Sequence, residues 1–292
     1  MEMICDYMKN DTLRHELNAL TQKIFGFHFE NWVTDGYFEG DYIPYSFEEN
    51  GKIIANVSAN KMSFMQNGVR KDYIQIGTVM TDKPYRKQGI AKRLMEYVLK
   101  EYESKCDGFY LFGNLDALNF YRKIGFKESL QYQYVLKNDW IQKLKRGTSF
   151  KKVDGQDKQI KIKYMDAVRN SAVNAALEQI NKYGLQMFYT AGLNNVYYAD
   201  DIDCFVVMEK RDDILMLQSV ISKKHISMKD IIAHINVEYE QLKLGFSPCD
   251  EDICMFEVFA YDGGEDYRLF YRGKELESIE KEMLFFPQLS HA

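Results

Sequence analysis

Tyr73-Ile-Gln-Ile-Gly-Thr-Val-Met-Thr-Asp-Lys-Pro-Tyr-Arg-Lys-Gln-Gly-Ile-Ala-Lys92 reads as a strand, a basic turn and the opening of a helix. Apolar and β-branched residues run to Met80, and Thr81-Asp-Lys-Pro84 punctuates the end of the strand. Beyond the turn, Ala91, Leu94, Met95, Val98, Leu99 and Tyr102 fall at helical spacing, with Lys92, Arg93, Glu96, Lys100 and Glu101 on the opposite face. A strand that feeds a helix through such a turn aims free backbone N–H groups and the positive end of the helix dipole at one spot. That arrangement suits a phosphate. Gly89 has no Cβ to hold an anion off, and Arg86, Lys87 and Lys92 carry charge of the right sign. An ordinary strand–helix connection with solvated lysines fits these residues equally well. There is no Gly-Lys-Ser/Thr for a triphosphate loop, and one glycine does not make the G-x-G-x-x-G dinucleotide turn.

A second pattern follows at a fixed distance. Phe109-Tyr-Leu-Phe112 reads as a buried strand, and Asn114-Leu-Asp-Ala117-Leu-Asn-Phe-Tyr121-Arg-Lys-Ile-Gly125-Phe126 comes next. Together the two halves resemble the GCN5-related N-acetyltransferases. Arg86, Gly89 and Ala91 match that family's Gln/Arg-x-x-Gly-x-Gly/Ala loop, and the later stretch matches its Asn-x-x-Ala-x-x-x-Tyr-x-x-x-Gly-Phe. The resemblance covers about the first half of the chain. It implies acetyl-CoA as co-substrate, with Arg86, Lys87, Gln88, Gly89, Ile90, Ala91 and Lys92 around the pyrophosphate. Val79, Met80 and Thr81 would pair with the pantetheine arm as an added strand does. A backbone N–H of Val79 or Met80 would also face the developing oxyanion. Asn114 matches a cofactor-contacting asparagine, and Tyr121 stands where the family places the proton donor to the leaving thiolate. A core aromatic on a helix is the competing reading of Tyr121.

One departure from the family concerns the base. Some members carry a glutamate eleven residues before the first loop position, and here that place is Gln75, which takes no proton. Glu30, Asp35, Asp72, a relayed water and the terminal carboxylate of Ala292 remain as candidates.

The remaining chain frames this unit. With 292 residues there is room for one large or two ordinary domains. Apolar content of 46% and a formal charge of −5 describe a globular chain without the basic block that nucleic acid requires. Five cysteines lack framework spacing, so reduced thiols and no metal site are expected. The acidic N-terminus does not read as a signal peptide, no apolar run is long enough to span a bilayer, and a cytoplasmic location is expected. Asp11 to Phe25 reads as a helix with Asp11 as its cap. Residues 27–45 are aromatic and acidic, and the resemblance places the acceptor there. Such walls suit a cationic amine, though a packed aromatic cluster is the simpler reading. Pro44–Glu48 and Lys52–Ser58, then Lys61–Met65 and Tyr73–Met80, form two hairpins closed by Asn50-Gly51 and Asn67-Gly68.

These elements predict an α+β (mixed α/β) chain with an acyl-CoA N-acyltransferase fold over residues 1–145. A boundary falls near Lys143 to Gln159, and a smaller α+β domain follows over 155–292. Its expected elements are helices at Met165–Tyr183 and Met228–Ile235, and strands at Asp203–Glu209, Ile214–Ile221, Gln241–Phe246, Met255–Ala260 and Tyr267–Tyr271. They can be laid over a degenerate second copy of the first fold, without a second glycine loop. In organisation alone the chain resembles two-domain bacterial acetyltransferases such as the enhanced-intracellular-survival type, which acetylates aminoglycosides. The second domain is expected to close the pocket, mediate a homodimer, or both. The function implied is acetyl transfer to a primary amine of a small molecule or peptide, without nucleic acid or membrane partners. A non-catalytic acyl-CoA-binding or regulatory module is the alternative, and transfer to oxygen or of a longer acyl group also fits.

Overall fold

The structure, a computed structural model, describes residues 1–144 and 150–292, so residues 145–149 of the expected boundary lie outside the described residues. Strand β1 (Glu2–Cys5) leads into α1 (Asp11–Phe25) and the short α2 (Glu30–Thr34). Asn10, not Asp11, caps α1: its side chain accepts the Leu13 N–H at 3.1 Å, while Asp11 sits in the first turn and pairs with Arg14. The next strands, β2 (Tyr42–Glu49), β3 (Lys52–Gln66) and β4 (Val69–Thr81), are joined by the two Asn-Gly turns. Asn50, Gly51, Asn67 and Gly68 all have positive φ, as tight hairpin turns demand. The stretch expected as two strands is one: β3 runs unbroken through Asn60, because the Asn60 side chain bonds the Gln75 carbonyl of the neighbouring strand instead of making a turn.

Helix α3 (Ile90–Tyr102) starts at Gly89, whose φ of 75° is left-handed. Its predicted stripe is the buried one, and Leu94, Met95 and Val98 have no exposed surface. Each contributes on the order of 2 kcal/mol by leaving water. Then come β5 (Gly108–Gly113), α4 (Leu118–Lys123), β6 (Lys127–Ser129), β7 (Gln131–Leu136) and α5 (Asn138–Lys143). The later part holds β8 (Lys151–Lys152), α6 (Lys158–Arg169), β9 (Leu177–Gln179), α7 (Tyr183–Thr190), β10 (Val196–Ala199), β11 (Cys204–Arg211), β12 (Ile214–Ile221), α8 (Met228–Ala233), β13 (Gln241–Leu244), β14 (Phe256–Tyr261), β15 (Arg268–Arg272) and α9 (Ser278–Lys281). The helix expected over Met165–Tyr183 is two helices separated by β9. The first begins earlier because Asp157 caps it, accepting the Gln159 and Ile160 N–H groups.

Among the described residues there are two sheets. The first has the order β1-β2-β3-β4-β5-β15-β6, with β9 on the end of β3; the second has the order β14-β7-β13-β12-β11-β10-β8. The sequence alone set β7 with the first unit and β15 with the second, and hydrogen bonding places them the other way. The chain bends at Leu130, so β7 pairs with β14 over six residues. β15 slides between β5 and β6, where Leu269 and Phe270 are buried against both. The later part of the chain thus completes the first sheet. Among the described residues no helix is long and apolar enough to cross a membrane.

Candidate active site

Two features of β4 open the first sheet. The parallel pairing of β4 with β5 is confined to Tyr73–Gln75 against Gly108–Tyr110. Past that point the strands separate, so the β5-facing edge of β4 from Ile76 to Thr81 has no strand partner among the described residues. The second feature is a bulge: β3 advances from Asn56 to Ser58 while β4 advances from Gly77 to Met80. Thr78 takes the extra place with φ 40°, unusual for a β-branched residue. It is held there by polar contacts. Asn56 donates to the Thr78 carbonyl at 3.1 Å, and Thr78 Oγ1 meets Tyr42 Oη at 2.8 Å and Ser58 Oγ at 3.0 Å.

The basic turn lies at the end of this wedge. Arg86 Nε donates to the Thr81 carbonyl at 2.9 Å and Gln88 to that of Pro84 at 3.1 Å, which ties the turn back on itself. Lys87 and Gly89 both have positive φ. A Cβ built on Gly89 would meet nothing within 4 Å, so the turn opens outward. Ile90 is buried and anchors the helix start, while Lys92 stays exposed beside Glu96 at 3.6 Å.

A cavity of about 660 Å³ runs from the wedge into the later half of the chain. Of the residues singled out in the sequence for the cofactor and the reaction, Val79, Asn114 and Tyr121 line it, and so do Gln75 and Ala292. Met80 points into the core, and Thr81 with residues 86–92 lies outside the lining. Asn114 uses its side-chain oxygen for capping, accepting the Ala117 N–H at 3.1 Å. Tyr121 is seated between Phe270 and Phe126, and Gly113 leaves it room: a Cβ there would lie 2.8 Å from its ring. Its hydroxyl has no hydrogen-bond partner among the described residues, and burial pushes its pKa up to about 12. It therefore stays protonated through the neutral range.

The opposite end of the cavity is aromatic and acidic. Phe29 lies 4.7 Å from Tyr42 and 6.0 Å from Trp32, and Phe188 of α7 closes the group at 5.6 Å from Trp32. Trp32 Nε1 donates to the Gly184 carbonyl at 2.7 Å, so the two halves of the chain build this wall together. Glu39, Asp41 and Asp266 supply carboxylates, and among the described residues no lysine or arginine is in the lining. Arg169 neutralises Glu39 at 2.5 Å. Asp41 accepts from Asn181 at 3.1 Å, and burial holds its carboxyl above the ordinary range against that bond.

The three acidic side chains considered as bases stand elsewhere. Arg14 grips Glu30 through Nε and Nη2 at 3.0 and 2.8 Å, which holds that carboxyl below its usual range. Asp72 is likewise held down by Arg70, and Asp35 caps α2 at the surface. None of them lines the cavity. Gln75 anchors the end of the chain, its Oε1 accepting the Ala292 N–H at 3.1 Å. The tail that carries Ala292 is threaded through the interior. Phe286 stacks on Tyr110 at 4.2 Å, and the His291 ring stacks on Phe112 at 3.8 Å. Gly77 faces the end of this tail, and a Cβ there would lie 2.6 Å from the Ala292 oxygen. Nothing in the local pattern marks Gly77, since the group it makes room for lies 215 positions away in the numbering.

Residues 6–126 match the family model "Acetyltransferase (GNAT) family". No protein of curated function matches the chain in sequence. Among solved structures, a GCN5-related N-acetyltransferase from Kribbella flavida is similar with TM-score 0.55 and 16% identity, over 93% of this chain and 72% of that one. A probable N-acyltransferase from Enterococcus faecalis is similar with TM-score 0.57 and 18% identity, over 95% and 74%. Eis1 from Mycobacterium abscessus is similar with TM-score 0.56 and 12% identity, over 95% and 75%. At these identities the likeness is one of fold, and it extends through both halves of the chain.

Proposed function

Residues 6–126 being a domain of the acetyltransferase (GNAT) family, we propose that the chain moves an acetyl group from acetyl-CoA to a primary amine by direct attack on the thioester. The observation that carries this reading is the wedge between β4 and β5, which has the glycine turn at the end of β4 and, in the cavity it opens into, a Tyr121 hydroxyl without a hydrogen-bond partner among the described residues.

The residues present fit acetyl-CoA. The open turn at Lys87–Lys92 offers backbone N–H groups and a dipole end to a pyrophosphate. Val79 to Thr81 present an unpaired strand edge to the pantetheine amides. The bulge at Thr78 re-aims the main chain there, and a Val79 or Met80 N–H is the donor for the oxyanion. Asn114 borders the same channel.

In the transfer step the neutral amine nitrogen attacks the thioester carbon, and the carbon–sulfur bond breaks as the carbonyl re-forms. Tyr121 gives its proton to the departing sulfur, and the proton that the acylated nitrogen sheds restores the Tyr121 hydroxyl. A phenol with its pKa raised by burial is a weak acid for such a transfer, so its position at the sulfur matters more than its acidity. The ammonium proton must leave before attack. Gln75 does not take it, and Glu30, Asp35 and Asp72 lie outside the cavity lining, which leaves a relayed water to carry the proton away.

A non-catalytic acyl-CoA-binding module is the second reading, favoured by the amide at Gln75. Calorimetric titration of acetyl-CoA into wild type and Gly89→Glu tests the shared premise. Micromolar binding that the variant loses supports a cofactor at this turn, and no binding to wild type overturns both readings.

A further inference from the structure

Within the cavity, the wall carries hydrogen-bond acceptors, and among the described residues its lining has no lysine or arginine to meet them. Glu39 already has Arg169, but Asp41 makes no ion pair among the described residues: its side chain accepts from the neutral amide of Asn181, and the Lys61 charge acts on it only through space. Between Asp41 and β4 stands Asn60, 2% exposed, whose amide nitrogen donates to the Gln75 carbonyl at 2.9 Å and to Ser58 Oγ at 3.1 Å. The Gln75 carbonyl only accepts, so the Asn60 amide is fixed in this orientation and its Oδ1 is left buried without a partner. His291 also lines the cavity with its Nε2 unpartnered. Its ring is kept neutral by burial, so it adds no cation.

Register gives the scale of this wall. Tyr42, next to Asp41, pairs with Asn60, and Asn60 pairs with Gln75. Two strand spacings therefore separate the Asp41 end from β4, or about 10 Å. The reacting nitrogen at Gly77 and Tyr121 must be neutral when it attacks, so it is not a lasting counter-ion for a carboxylate two strands away. A second, permanently charged group of the same ligand is. The rings of Tyr42, Phe29 and Trp32 suit an apolar spacer and add attraction for its cationic end.

We infer that the acceptor is a diamine with an apolar spacer, its reacting nitrogen at Gly77 and Tyr121 and its second ammonium against Asp41. This inference rests on the transferase reading, and its test separates the two. Acetyl transfer to octane-1,8-diamine, butane-1,4-diamine and octylamine is measured with wild type and Asp41→Asn. Binding of the same three amines is measured by calorimetry without acetyl-CoA. Asn keeps an oxygen for the Asn181 bond, and thermal melting checks the fold of the variant.

Wild type is expected to favour octane-1,8-diamine over octylamine by at least about tenfold in kcat/KM, the scale of one charge-assisted contact. Butane-1,4-diamine is too short and lacks the advantage. In Asp41→Asn the ratio of octane-1,8-diamine to octylamine falls to about one. Equal use of octylamine and octane-1,8-diamine by wild type, or a ratio unchanged in Asp41→Asn, overturns the inference and leaves the transferase reading intact. If nothing is acetylated, the transferase reading fails, and the calorimetric ratio still decides whether Asp41 holds a second ammonium.

Discussion

The two ends of the cavity are built in opposite ways. The wedge end is made by contiguous chain: β4, the turn after it, α3, β5 and α4 all fall within Tyr73 to Phe126, and main-chain geometry supplies most of its chemistry. The acceptor end is assembled from distant pieces. Trp32 is bonded to Gly184, Asp41 to Asn181, Glu39 to Arg169, and Gln75 to Ala292. A handling site for an invariant co-substrate can be written as a short local pattern. A site for a variable acceptor needs side chains that only tertiary folding brings together.

The largest expected effect is at the wedge. Tyr121→Phe keeps the packing against Phe270 and removes the proton donor, so kcat should fall about 100-fold while acetyl-CoA affinity holds. Steady-state kinetics beside calorimetry separates these. Equal kcat in the variant would make Tyr121 a core aromatic and nothing more.

Gly77→Ala probes the junction of the two ends. Its Cβ would meet the Ala292 oxygen at 2.6 Å and Asn60 Nδ2 at 2.8 Å. Overpacking of this kind costs about 1–3 kcal/mol. Denaturant unfolding should show that loss, with the tail displaced from Gln75. An unchanged midpoint would mean the tail is not seated there in solution.

Gly89→Glu acts on the wedge alone. A non-glycine residue at φ 75° is strained, and a carboxylate at the helix start opposes an anion. Acetyl-CoA affinity should drop at least about tenfold, while amine binding at the other end stays the same. A parallel loss of amine affinity would show that the two ends are coupled.

The smallest effect concerns His291. Burial lowers its pKa from 6.5 to about 3. Between those values the unfolded chain binds a proton that the folded chain refuses, so stability falls as pH drops below about 6.5 and is unaffected above it. His291→Phe keeps a ring on Phe112 and should flatten the decline between about pH 6.5 and 4.5, before the carboxylates titrate. Melting temperatures across that range check it. Identical profiles would place the His291 ring in water.

The same contrast governs what the sequence made legible. The stripe from Leu94 to Tyr102, the Asn-Gly turns and the strand before Thr81 were readable because each depends on neighbours within a few residues. Asn10 took the cap from Asp11, a one-residue difference that local pattern does not resolve. The exchange of β7 and β15 between sheets was hidden, since β strands pair by register with partners that periodicity does not name. Gln75 was legible as a missing base and illegible as the anchor of Ala292. Asp41 was one acid among several in residues 27–45, and its lack of an ion pair among the described residues shows only once Glu30 and Glu39 have been given theirs.

The most direct measurement is release of free thiol from acetyl-CoA by the purified protein, with and without octane-1,8-diamine. Thiol release should depend on the amine and slow about 100-fold in Tyr121→Phe. Binding of acetyl-CoA without amine-dependent thiol release, across primary amines of varied size and charge, would contradict the transferase reading and leave a binding module built on this fold.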